Sequence, residues 1–210
     1  MRSVLAGILV VSACLAAEGP VKRGVERWTV KTSGPDAKDA RQVALADLLT
    51  FADPDGVSKD DSRYQTKRIE AKVHGNLHEG QLITTTGYLH LIAGEGDGDY
   101  HIQISASPDS GDHCLIVEVP FGDPDFVTSP KLRPQFDAVR AFLKEKALAG
   151  KDPSSSGSIM QHPPYVTVTG VLFYDDSHVG DPPRGKKGMK AATLWELHPV
   201  TAVAFAPKPH

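Results

Sequence analysis

Two cysteines in 210 residues are too few for a disulfide-dense scaffold or a four-cysteine zinc site. A formal charge of −3 argues against a broad nucleic-acid-coating surface and leaves room only for a local basic patch. The familiar enzyme signatures are missing: there is no Gly-x-Ser-x-Gly elbow, no Gly-rich phosphate loop ending in Lys-Ser/Thr, no His-Glu-x-x-His and no Cys-x-x-Cys. The apolar stretch Val4–Val11 falls well short of the about 20 residues that span a bilayer as a helix. What is present is globular: 40% hydrophobic residues and a length that suits one domain plus an extension.

The stretch Val4–Val11 follows a single positive charge at Arg2, and no acid appears before Glu18. That is the layout of a signal peptide, assigned to residues 1–17. Its end, Val11-Ser12-Ala13-Cys14, resembles the bacterial lipobox. The resemblance implies that Cys14 is acylated and becomes the mature N-terminus. The chain would then be an exported cell-envelope lipoprotein, partnered with the membrane through its lipid. Ordinary secretion or a periplasmic location, with a cut after Ala16 or Ala17, is the alternative. Cys114, ahead of Leu115-Ile116-Val117, is then read as a buried thiol at a strand edge.

Residues 18–66 read as an N-terminal extension. Trp28-Thr29-Val30 suggests a short strand, and Ser33-Gly34-Pro35-Asp36 a helix start followed by a stripe of Ala40, Val43, Ala44, Leu48 and Phe51. From 67 to 210 the pattern is mainly β, an α+β class. Ile69, Ala71 and Val73 alternate over 68–74, and further strands fall over 81–92, 100–106 and 115–119. Leu132, Phe136, Val139 and Leu143 are spaced as an amphipathic helix. After the connector Ser154–Ser158 comes a strand over 165–174 with Gly170 inside it. A last strand runs over 193–205, interrupted at Pro199.

Three strands, a helix and two strands is an order that resembles the OB-fold, a five-stranded barrel with one helix between strands 3 and 4. The phrases Gly96-Asp97-Gly98-Asp99-Tyr100-His101, Val117-Glu118-Val119-Pro120 and Glu196-Leu197-His198-Pro199 resemble those of a family of exported bacterial proteins to which no activity is attached. That resemblance implies secretion and an OB-like barrel, and no mechanism.

Three constellations carry chemistry. Glu95, Asp97, Asp99 and His101 alternate, so an early strand start would put all four on one face. Glu196 and His198 share a face of the last strand. In an OB-like barrel the third strand lies between the second and the fifth, which brings Glu118 between His101 and the Glu196/His198 pair. Asp99, His101, Glu118, Glu196 and His198 therefore form the expected binding patch. Asp176 and His178, beside Asp175 at the end of the fourth strand, would complete a His/carboxylate site for zinc or manganese. Cross-strand hydrogen bonds on a polar face are the competing interpretation. Finally, Arg184, Lys186, Lys187 and Lys190 cluster in a Gly/Pro-containing loop suited to an anion: phosphate, nucleic acid or an anionic envelope lipid.

Two functions stay open on this reading. One is a non-enzymatic, envelope-anchored binding module for a small molecule, glycan or protein partner. The other is a metal-dependent hydrolase of phosphodiesters. Staphylococcal-type nucleases use an OB barrel for that reaction, a likeness of fold alone.

Overall fold

A computed structural model describes residues 27–122, 127 and 129–209. The signal peptide and Cys14 lie outside the described residues. The barrel strands are β1 (Leu82–Gly94), β2 (Tyr100–Ser105), β3 (Leu115–Val119), β4 (Tyr165–Tyr174) and β5 (Trp195–Phe205), with helix α1 (Arg133–Ala147) between β3 and β4. β1 pairs antiparallel with β2, and β2 with β3; β3 runs parallel to β5. β5 pairs antiparallel with β4, and β4 returns to β1, closing the ring. This is the order of an OB-like barrel.

Closure depends on β1, whose thirteen residues serve two neighbours. Its first half pairs with β4 and its second half with β2, and a register shift between Leu89 and Leu91 bends it between the two. Gly170 makes the matching bend in β4. Register shifts flank it, and a Cβ there would lie 3.0 Å from the Leu197 Cβ and 3.1 Å from the Pro199 carbonyl oxygen. Pro199 does not interrupt β5 as expected. The strand runs through it, because a residue without an N–H is tolerated where the register slips opposite Gly170. Inside the ring Ile83, Leu89, Ile92, Ile102, Ile104, Val117, Val168 and Leu197 make one apolar core. Helix α1 packs on β5 and β3, burying Phe136, Val139 and Leu143.

Outside the barrel several expectations give way to shorter elements. Trp28–Lys31 is a single helical turn and not a strand. The helix expected after Ser33 shrinks to one turn, Leu45–Leu48, because Arg41–Gln42 pairs in parallel with β1 and the Val43 N–H donates to the Thr84 carbonyl. Of the strand expected over 68–74, only Lys72–Val73 pairs, with Leu77–His78. Part of the serine-rich connector is also structured: Ser158–Ile159 pairs with β1. For Arg41–Gln42 and Ser158–Ile159 the strand partner offered by the barrel outweighs local propensity.

The described part of the extension is tied to the barrel by a buried ion pair. The Arg27 guanidinium donates to both Glu79 oxygens, at 2.7 and 2.6 Å, and to the Tyr174 carbonyl at 2.6 Å. The same carboxylate accepts the Ile69 and Tyr174 N–H groups. Removing one partner strands a buried charge, so Arg27→Met should cost about 3–5 kcal/mol, read as a fall in the urea midpoint. Lys59→Met, which breaks the exposed pair with Asp181, should leave that midpoint unchanged.

Candidate functional site

The strand register builds the site. His101 on β2 lies opposite Glu118 on β3, and its Nδ1 is 3.0 Å from Glu118 Oε1. On the other side, pairing of Val117 with Leu197 sets Glu196 and His198 beside Glu118. His198 Nδ1 is 3.2 Å from Glu118 Oε2, and its Nε2 is 3.4 Å from Asp99 Oδ2. Glu118 is thus the centre of the five-residue patch.

Asp99 and Glu95 reach the centre by a route different from the expected one. β2 starts at Tyr100, so alternation does not align Glu95, Asp97, Asp99 and His101. A tight turn does the work: the Glu95 N–H donates to the Asp99 carbonyl at 2.8 Å, and the Asp99 N–H to Asp97 Oδ1 at 3.1 Å. Glu95 then lies 3.5 Å from His101 Nδ1. Asp99 Oδ1 accepts the Phe121 N–H at 2.8 Å.

The second face of β2 is covered instead of open to solvent, and all six of its residues are buried. The β4–β5 loop lies over it. Its Lys186 N–H donates to Gln103 Oε1 at 2.7 Å, and the same oxygen faces His101 Nε2 at 3.2 Å. The loop's cations do not converge on one anion site. Arg184 makes close contacts with Glu196 and Asp175 and lies 3.6 Å from Glu118. Lys186 Nζ is 3.1 Å from Glu95. Lys187 and Lys190 are exposed.

Beside the patch is a cleft of about 350 Å³ lined by the carboxylates Glu95, Asp97, Glu118, Asp175, Asp176 and Glu196, with Lys31, Phe173, His178 and Arg184 among them. Asp176 and His178 line this cleft but stand apart from the patch. Asp176 Oδ2 accepts the Asp61 N–H at 2.9 Å, and His178 Nδ1 lies 3.2 Å from Asp181. Two groups among the described residues have ligand atoms close enough to share an ion: Glu95, His101 and Glu118, and Asp99, Glu118 and His198. Sequence reasoning missed Lys31, whose Nζ lies 3.7 Å from Asp97 Oδ2. It comes from a turn read as a strand, and no local pattern marks it. Gln103 was detectable, since it alternates onto the His101 face.

The electrostatics follow from crowding. Burial pushes the Glu118 carboxyl up, but His101, His198 and Arg184 outweigh it and hold it well below the usual range. Burial lowers the His198 imidazolium, yet Asp99 and Glu118 raise it to about 9. Burial pushes Glu196 up to about 8 against the pull of Arg184, with Glu118 and Asp175 adding to the push. Asp97 rises to about 6 through burial and then Asp99, with Lys31 opposing. Cys114 stands outside the cleft as a free, buried thiol raised to about 11 by burial. Comparison with protein-family models, curated proteins and solved structures finds no match to this chain.

Two predictions come from these environments. The folded value of Asp97 lies above its ordinary 3.8, so the native state binds that proton more tightly. Its contribution to stability therefore falls as pH rises from about 4 through about 6. Asp97→Asn keeps the oxygen that accepts the Asp99 N–H. It should match wild type near pH ~4 and melt about 3–6 °C higher above pH ~7. A lower melting temperature above pH ~7 would mean that the attraction of Lys31 dominates instead. Cys114 should resist iodoacetamide in the native protein and react once urea unfolds it, as read by mass spectrometry of its peptide.

Proposed function

We propose that this chain is a binding module for a small polar molecule carrying positive charge. The observation that supports it is position. The cleft lies where Glu118 of β3 and Glu196 of β5 meet the β1–β2 turn and the β4–β5 loop, and these two loops flank the ligand face of OB-like barrels. Its size falls at the small end of ligand pockets. Its lining favours polar over apolar contact, with six carboxylates against Lys31 and Arg184, and Phe173 as the one aromatic among the lining residues. In the same reading, the signal-like N-terminus and Cys14 support an exported module held at the cell envelope by lipid.

A thermal-shift panel in the presence of chelator tests this: putrescine, spermidine, arginine and glucosamine against glucose and phosphate. An amine-bearing compound at saturating concentration should raise the melting temperature by about 5–10 °C, and Glu118→Gln, which removes the lining carboxylate held ionised, should lose that rise. If only glucose or phosphate stabilises the protein, or no compound does, the proposal is wrong. The anchor is tested separately. Cys14→Ser should move the protein from the membrane to the soluble fraction, and unchanged membrane retention would count against acylation.

A second reading, a metal-dependent phosphodiester hydrolase, is favoured by the two His/carboxylate groups that share Glu118. Hydrolysis of bis(p-nitrophenyl) phosphate in manganese would support it, with the rate lost in Glu118→Gln. Absence of turnover would remove it and leave the binding module.

A further inference from the structure

Asp99, Glu118 and His198 come from three elements: the β1–β2 turn, β3 and β5. All three side chains are almost wholly buried, at 1%, 5% and 0% exposure. One ligand atom of each lies within 4.8 Å of the others. Both His198 nitrogens face carboxylate oxygens, and neither contact has hydrogen-bond geometry. Without a metal, the attraction of Asp99 and Glu118 keeps a proton on the ring, yet its N–H groups miss both oxygens. Asp99 Oδ2 is likewise buried without a hydrogen-bond partner, although its Oδ1 is satisfied. Such buried, unpartnered atoms are rare and need a physical reason.

A cation that displaces that proton can bind one His198 nitrogen together with a carboxylate oxygen from Asp99 and one from Glu118. We propose that Asp99, Glu118 and His198 hold a divalent cation, zinc or manganese, behind the wall of the cleft that Glu118 forms. The proposal rests on the reading of this cleft as a binding site and names its innermost occupant. One imidazole and two carboxylates suit these ions better than calcium or magnesium, which take oxygen ligands. The outer contacts are those expected around a metal site. Glu118 Oε1 is oriented by His101, whose far nitrogen faces Gln103, and the His198 ring is set edge-on against Phe173 at 5.6 Å. Two protein cations flank the site: Arg184 lies 3.6 Å from Glu118 Oε1, leaving Oε2 facing His198, and Lys31 Nζ lies 3.7 Å from Asp97 Oδ2. Glu118 also lines the cleft, so a ligand there would meet the ion's free coordination positions.

The test is equilibrium dialysis of the purified full-length protein against zinc or manganese alone, followed by metal analysis. One equivalent is expected, with a higher melting temperature in metal than in chelator. His198→Gln and Asp99→Asn should bind at least about tenfold more weakly. Glu95→Gln, which alters only the other group, should bind as wild type does. Cobalt gives a second readout, a visible absorption band present in wild type and lost in His198→Gln. A urea midpoint for each variant separates loss of metal from loss of fold. Wild type without stoichiometric metal overturns the proposal, as does a folded His198→Gln that binds normally. The organic panel is run in chelator and this titration without organic ligand, so either reading can fail by itself.

Discussion

A charged carboxylate in the middle of a barrel strand is the constraint around which this molecule is arranged. Glu118 belongs to β3, is buried, and cannot stay ionised there without compensation. Its neighbours supply that compensation from three directions: His101 across the β2 ladder, His198 from β5 and Arg184 from the β4–β5 loop. Each of these brings further carboxylates with it, Glu95 beside His101, Asp99 beside His198, and Glu196 and Asp175 beside Arg184. Compensating one buried acid in this way gathers an acidic centre.

Such a centre is a poor way to stabilise a fold. An apolar set of the same volume would often be neutral or better, because desolvation offsets most of the attraction between buried charges. The same molecule contains the contrasting case. Arg27 and Glu79 form a bidentate pair whose remaining valences go to backbone groups, so that network is satisfied and ties the extension to the barrel. Around Glu118 satisfaction is incomplete: His198 and Asp99 keep unpartnered atoms, and Asp97 and Glu196 are pushed toward their neutral forms. Fully matched charges point to structure, and mismatched ones beside a cleft point to a ligand.

Much of the arrangement was legible in the sequence, for identifiable reasons. Alternation in Tyr100–Ser105 and the spacing of Phe136, Val139 and Leu143 report local periodicity, which survives folding. The meeting of His101, Glu118 and His198 followed once β3 was placed between β2 and β5, because register does the rest. What stayed hidden depends on contacts distant in the chain. The single turn at Trp28–Lys31 is anchored by Arg27 reaching Glu79, and it delivers Lys31 to the cleft. The burial of the polar side of β2 was also hidden, because the Arg184–Lys190 segment folds over it. A loop's composition advertises mobility and charge, and it does not say which acids the charges will meet.

The central claim is that the carboxylates around Glu118 are arranged for a cation. An anomalous difference map from a crystal grown with zinc, recorded at the zinc edge, tests it most directly. The account predicts one strong peak bounded by Asp99, Glu118 and His198. A map with no peak there, or with its strongest peak at exposed histidines such as His113 and His162, would contradict it.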